Sequence, residues 1–297
     1  MPFLKYQLTT TIQRIDAVWD TYTEQNLKSQ TQQRRGSGAR TRHKPDGDGS
    51  TPILKRNWQS YMTIVENKKE LFSLVSKQLA KTDMDGILLI STESKNVLSN
   101  KPFDVSELQP CNYTEADTRI ILCLAHASSQ GHDKIFVRTV DGDIVVLAIA
   151  FYEQQLGLSE LWIGFGSGKN YRDIPVYSIH AQLGPSKSLA VPLFHAFTGC
   201  NATYQLLGCG KKTAWTAWNS IPALTDTMIT LTEAPESFTR EYVHMQCIER
   251  FVVLMYSKTS ATVNDTRHHL FSNGSRSINS ILPTQAALFE HVKRSLL

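Results

Sequence analysis

The chain has 297 residues, 41% of them hydrophobic and 20% charged, with a net charge of +4. This balance excludes a wholly disordered chain and suits a soluble globule of one large or two smaller domains. Five cysteines with no C-x-x-C pair exclude a disulfide framework and a zinc site, and predict reduced thiols in a cytosolic or nuclear protein.

The first 20 residues lack the apolar segment of a secretory signal, so the protein is not expected to be secreted. Ile15 to Trp19 read as a short strand that reaches Asp20. A basic Gln/Gly/Ser-rich stretch follows to about residue 56. Between Lys28 and Arg56 it carries Lys28, Arg34, Arg35, Arg40, Arg42, Lys44, Lys55 and Arg56 against only Asp46 and Asp48. Composition alone reads it as a solvated loop. Residues 57–80 have apolar positions at helical spacing, and 86–92, "GILLIST", read as a buried strand. Thr114 and Asp117 have the spacing of a capping box opening a helix that ends near Gly131.

"KIFVRTV" (134–140) predicts a strand, and "DGDIVVLAIAFYEQQLG" a turn into a helix ending at Gly157. "ELWIGFG" predicts another strand and "IPVYSIHAQLG" a helix closed by Gly184. Beyond residue 187 nearly everything reads as helix. Strands alternating with helices, then helices alone, predict a parallel α/β sheet followed by a helical region. The longest apolar run, 144–151, is too short to span a bilayer, so no membrane partner is expected.

The acids fall at telling places on this map. Asp20 ends a strand, Glu115 and Asp117 open a helix, and Asp141 and Asp143 follow one strand and open the next helix. In a parallel sheet those positions share the edge where ligands bind. Each acid also has a structural explanation: carboxylates complement helix N-termini, and Asp-Gly can turn a hairpin. Five carboxylates on one edge would repel each other, and a divalent cation relieves that. Magnesium suits such a donor set, and two ions can clamp a phosphodiester. Other sites fit less well. "GFGSGKN" has Ile163 and Asn170 where a P-loop needs Gly and Ser/Thr. The nine histidines form no metal spacing, and His195 reads as a packed helix residue.

The ordered segments "VWDTYTEQNLKSQTQQRRGSGAR", "EADTR", "TVDGDIVVLA", "TGCN" and "LLGCGKKTA" resemble the flap endonuclease branch of the PIN-like nucleases. The wording is also similar to multicopy, transposon-associated animal proteins. The resemblance runs from about residue 14 to 219 and rests on order and spacing more than on any single motif. It implies a three-layer, Rossmann-like parallel sheet with helices on both faces, then a helix-hairpin-helix and a helical C-terminal region. The core would span 1–205, with a basic gateway at 21–57, and the remainder 206–297. Asp20, Glu115, Asp117, Asp141, Asp143 and Asn201 match the metal-binding positions, for two Mg²⁺ or Mn²⁺ ions. Lys28, Arg34 and Arg35 fall in the gateway that steadies the scissile phosphate. Arg40 and the hairpin residues Gly208, Gly210, Lys211 and Lys212 would contact nucleic-acid backbone, helped by helix N-termini; a glycine-capped helix pair with surface lysines is the structural alternative.

Two departures bear on activity. The family's first strand carries an aspartate for which this chain has no counterpart, so it reads as N-terminally incomplete. The family's G-x-D is Gly199-Cys200-Asn201 here, and asparagine keeps an oxygen but brings no charge. The expected function is metal-dependent, structure-specific hydrolysis of DNA, branched or flapped, by a nuclear protein, with activity weakened by these departures. RNA is the alternative substrate. A non-catalytic nucleic-acid-binding or scaffold protein of the same fold is the alternative function, and a nucleotide-binding α/β protein a third.

Overall fold

The computed structural model describes residues 12–21, 58–200, 203–239, 243–272 and 281–296. They fall in two compact units, Met1–Gly131 and His132–Leu297.

In the first unit, strand β1 (Arg14–Ala17) pairs parallel with β2 (Leu88–Glu93), and β2 pairs antiparallel with β3 (Asn96–Ser99). Helices α1 (Trp58–Thr63), α2 (Val65–Ala80) and α3 (Ala116–Ser129) are its described helices. The central strand reads as one apolar run because both of its faces are covered. Leu89 packs with Leu79, Met84 and Ile15, while Ile90 packs with Cys123, Leu122 and Val18. Burial among these side chains pushes the Cys123 thiol up to about 12. Trp19 locks the exit of β1: its ring stacks on Phe72 at 4.6 Å and its indole N–H donates to Ser76 Oγ at 3.1 Å. Asp20, the next residue, is thereby placed.

In the second unit, β4 (Lys134–Thr139) pairs parallel with β5 (Glu160–Phe165), which pairs antiparallel with β6 (Arg172–Pro175). Helix α4 (Gly142–Phe151) runs into a π turn at Tyr152–Leu156 that Gly157 ends. Among the described residues seven α-helices follow the sheet: α5 (Val176–Leu183), α6 (Pro185–Phe197), α7 (Lys211–Asn219), α8 (Ala223–Glu233), α9 (Val243–Tyr256), α10 (Val263–Ser272) and α11 (Gln285–Leu296). Helix α6 is the hub and packs against α4, α5, α8 and α11. An aromatic core fixes its C-terminal half: Phe194 stacks on Trp218 at 4.8 Å, and Phe197 meets Phe251 at 5.7 Å. Thus the start of α4 and the end of α6 are held by one core.

The protein is a mixed α/β protein with two three-stranded sheets, each joining a parallel and an antiparallel pair. Residues 134–151 form a strand and a helix, which removes the hairpin alternative for Asp141 and Asp143. Four expectations need correction. The sheets are not parallel throughout as expected, since β2–β3 and β5–β6 run antiparallel. The short strand β3 is additional to those predicted. Ile174 and Pro175 belong to β6, and the helix begins only at Val176. The capping box of Thr114 and Asp117 does not form: Glu115 is the N-cap residue of α3, and Asp117 Oδ1 accepts from the N–H of Thr118. Among the described residues, no helix is long and apolar enough to cross a membrane.

Candidate functional site

Each unit sets carboxylates where the end of a parallel strand meets the N-terminus of a helix. In the first unit Asp20 follows β1 and accepts a hydrogen bond from the Ala116 N–H at 2.8 Å. It thus serves the N-terminus of α3 that Thr114 was expected to cap. The N–H of Thr21 donates to Thr114 O at 2.7 Å, which ties the two segments side by side. Glu115 and Asp117 flank the same N-terminus, where the helix dipole favours carboxylates. Beneath them lies Arg119, 2% exposed, whose Nη1 donates to Thr21 Oγ1 at 2.8 Å.

In the second unit Asp141 caps α4, accepting from the Asp143 N–H at 3.0 Å. An open cleft of about 410 Å³ has both carboxylates on its wall, with His195, Gly199 and Cys200. His195 Nε2 lies 2.9 Å from Asp143 Oδ1, so the end of α6 is joined to the start of α4. Sequence reasoning missed His195: a lone histidine in "PLFHAFTG" has no spacing that marks a site, and its partner is 52 residues away. The Gly199-Cys200 turn is held at its far end, where the Cys200 N–H donates to Thr203 O at 3.3 Å.

Lys211, expected on backbone phosphate, bends back onto this turn. Its Nζ donates to His195 O at 3.0 Å, Thr198 Oγ1 at 2.9 Å and Gly199 O at 2.7 Å. These are oxygens from the last turn of α6, where a cation is favoured. Burial holds the ammonium below the usual lysine value, with Cys200 and Asp143 pulling the other way. Lys212, one position on, is exposed and makes no such clamp. Lys211→Met is therefore expected to lower stability by roughly 1.5–3 kcal/mol, the range for hydrogen bonds to a charged group. Lys212→Met should change it by no more than about 0.5 kcal/mol. Urea denaturation of the two variants checks this, and equal stabilities would refute the clamp.

Gly208 turns at φ +79°. Gly210 is the N-cap residue of α7 with extended backbone, φ −81° and ψ 169°. The hairpin thus presents the N-terminus of a nine-residue helix with Lys212 beside it. Lys28, Arg34, Arg35, Arg40 and Asn201 lie outside the described residues. Within each unit, among the described residues, no three His, Cys, Asp or Glu side chains gather as a metal-holding group.

The chain matches no family model, no curated protein and no solved structure. What fold and site define is a class: a mixed α/β protein with carboxylates at strand-to-helix junctions and a carboxylate–imidazole cleft.

Proposed function

We propose that this protein is a metal-dependent phosphodiester hydrolase of the PIN-like, flap endonuclease type, acting on branched or flapped DNA in the nucleus. A three-layer PIN-like core is part of the same proposal. The observation that carries it is the β4–α4 junction. Two carboxylates two residues apart follow a parallel strand and share a cleft with the turn that leads to Asn201.

The donor set fits Mg²⁺ or Mn²⁺. Asp141 and Asp143 supply the oxygens that hard cations take, and with so few protein donors the shell keeps waters and substrate phosphate oxygens. Asp20, Glu115, Asp117 and Asn201 are the further candidates for two ions. Bound there, such a cation would supply a water activated for attack and would neutralise charge on the phosphate. The chain does the positioning. His195 fixes which Asp143 oxygen faces the cleft. Lys211 holds the turn that forms the opposite wall. The N-terminus of α7, with Gly208, Gly210 and Lys212, would contact a backbone phosphate. Lys28, Arg34, Arg35 and Arg40 remain the gateway candidates.

The test is cleavage of flapped and linear DNA with Mg²⁺ or Mn²⁺ by wild type, Asp141→Asn and Asn201→Asp. Asp141→Asn should lose activity by at least about tenfold, the lower bound typical even of changes one shell away from a metal. Asn201→Asp should gain by a similar factor, because it restores a charge. A specific observation favours one other reading, a nucleic-acid-binding protein without catalysis: Asn201 stands where the family has an acid. If wild type and both variants bind DNA yet none cleaves, that reading replaces the first.

A further inference from the structure

The sheet of the second unit has one outer face that carries aromatic rings in the open. Phe136 and Arg138 alternate along β4 and point to the same side. In register they face Trp162 and Gly164 on β5. Phe136 is 56% exposed and Tyr171, from the β5–β6 turn, 42%. Soluble proteins seldom leave such rings uncovered without a use for them.

The rings are also held still. Both lie over Gly164: a Cβ there would come 2.5 Å from Phe136 Cζ and 2.8 Å from the Tyr171 hydroxyl, so only glycine lets them settle on the backbone. The Tyr171 hydroxyl is tethered to Asp173 Oδ1 at 2.6 Å. Arg138 covers the Tyr171 ring with its guanidinium 4.9 Å from the centroid. It is fixed by donating to Thr139 O, Gly164 O and Gly166 O at 3.0, 2.7 and 2.5 Å. Those bonds also explain "GFGSGKN". It is no phosphate loop, since a strand follows it where a P-loop has a helix. Its carbonyls hold an arginine over a ring.

We propose that this face stacks the unpaired bases of a single-stranded nucleic acid, an inference that rests on the nucleic-acid reading above and names the form of nucleic acid. Charge complementarity selects this occupant. The β5–β6 turn adds exposed Lys169 to Arg138, and the carboxylates on this face are engaged, Asp173 by the Tyr171 hydroxyl and Glu160 by Lys134, so phosphates meet cations while bases meet rings. The platform also continues toward the acids: Val140, 69% exposed, follows β4 directly and lines the cleft with Asp141 and Asp143. Bases stacked on Phe136 would leave the attached backbone leading to the carboxylates. Stacking on an aromatic tolerates any base and is worth about 1–3 kcal/mol per base.

The experiment is fluorescence anisotropy without divalent metal, on the full chain. The probes are short labelled oligothymidylate, oligouridylate and an abasic strand of the same length. Wild type should bind the two base-bearing strands more tightly than the abasic one. Phe136→Ala, at an exposed position that leaves the core intact, should weaken oligothymidylate binding about tenfold and leave the abasic strand unchanged. Tyr171→Phe should keep the affinity and Tyr171→Ala lose it. Trp162, opposite Phe136, should be quenched by base-bearing strands, read as the signal lost in Trp162→Phe. Equal affinity for abasic and base-bearing strands, or an unaltered Phe136→Ala, overturns the proposal. So does a Phe136→Ala variant that changes only sedimentation, which would assign the face to a second copy of the chain. Ring-dependent binding with no cleavage by wild type sinks the hydrolase reading and keeps the platform. Cleavage that ignores Phe136 does the reverse.

Discussion

Asp16→Ala is expected to destabilise the first unit by about 3–5 kcal/mol, the cost of leaving a buried charge without its partner. Asp16 accepts from Arg14 Nε at 2.8 Å and from Nη2 at 2.7 Å, a bidentate pair along one face of β1. The side chains are only 5% and 17% exposed, so solvent screens them little. The guanidinium has no spare margin, because Arg14 Nη1 already lacks a hydrogen-bond partner. Replacing both residues with apolar ones of similar size, Arg14→Met with Asp16→Leu, should recover most of the loss. The measurement is hydrogen exchange of the β2 amides, which pair with β1. A single variant as protected as wild type would show that the pair contributes nothing. The consequence reaches the site, since β1 delivers Trp19 and Asp20 to the N-terminus of α3. A frayed β1 should free the Ala116 amide that Asp20 holds.

How much of this was legible depends on where each partner lies in the chain. The Asp141–Asp143 junction could be read because all its parts are local: an apolar strand, an Asp N-cap and an apolar helix within 134–151. The helix at 116–129 was expected from a capping box at Thr114 and Asp117; the helix forms, but with a different cap. The carboxylate that serves Ala116 comes from Asp20, 96 residues earlier, and local spacing offered Thr114 in its place. The strands β3 and β6 escaped notice because each has four residues, too few for an alternation pattern to stand out. Their turns also lack the Asn-Gly or Asp-Gly signal of a hairpin; at β2–β3 it is Ser94 that takes the positive φ, +53°. His195 and Lys211 carry the same lesson at the cleft. A packed-helix histidine and a phosphate-binding lysine are sound readings of local sequence. Their actual partners, Asp143 and the end of α6, are set by helix packing. Phe136 was hidden differently: "KIFVRTV" predicts a strand but not which of its faces is covered, and Phe136 stands on the open one.

Gly199→Ala is expected to cost about 3 kcal/mol or more and to disable the cleft while the rest of the second unit stays folded. Two independent penalties act at this position. Its φ is +103°, a region that L-residues rarely adopt, and holding a side chain there costs of order 1–3 kcal/mol. A Cβ would in addition lie 2.8 Å from Gln205 Cα and 2.9 Å from Gln205 N. Those are backbone atoms, so no rotamer change relieves the overlap, and forced overpacking adds roughly 1–3 kcal/mol. The chain escapes by moving one strand of the turn away from the other. That motion would draw Gly199 O from Lys211 Nζ, and would break the Cys200 N–H bond to Thr203 O. Gly210→Ala is the matched control. Its φ is −81° and the nearest atom to a Cβ is Gln205 Nε2 at 3.9 Å, so alanine fits and should cost less than about 1 kcal/mol. Urea denaturation of both variants gives the stabilities. Histidine NMR then tests the local claim: the His195 resonance should shift in Gly199→Ala and hold in Gly210→Ala, while His291, bonded to Phe197 O at 2.8 Å, should stay put in both. If Gly199→Ala is as stable as Gly210→Ala and His195 does not respond, the turn is plastic, and the opposite wall of the cleft is not the rigid element the positioning argument requires.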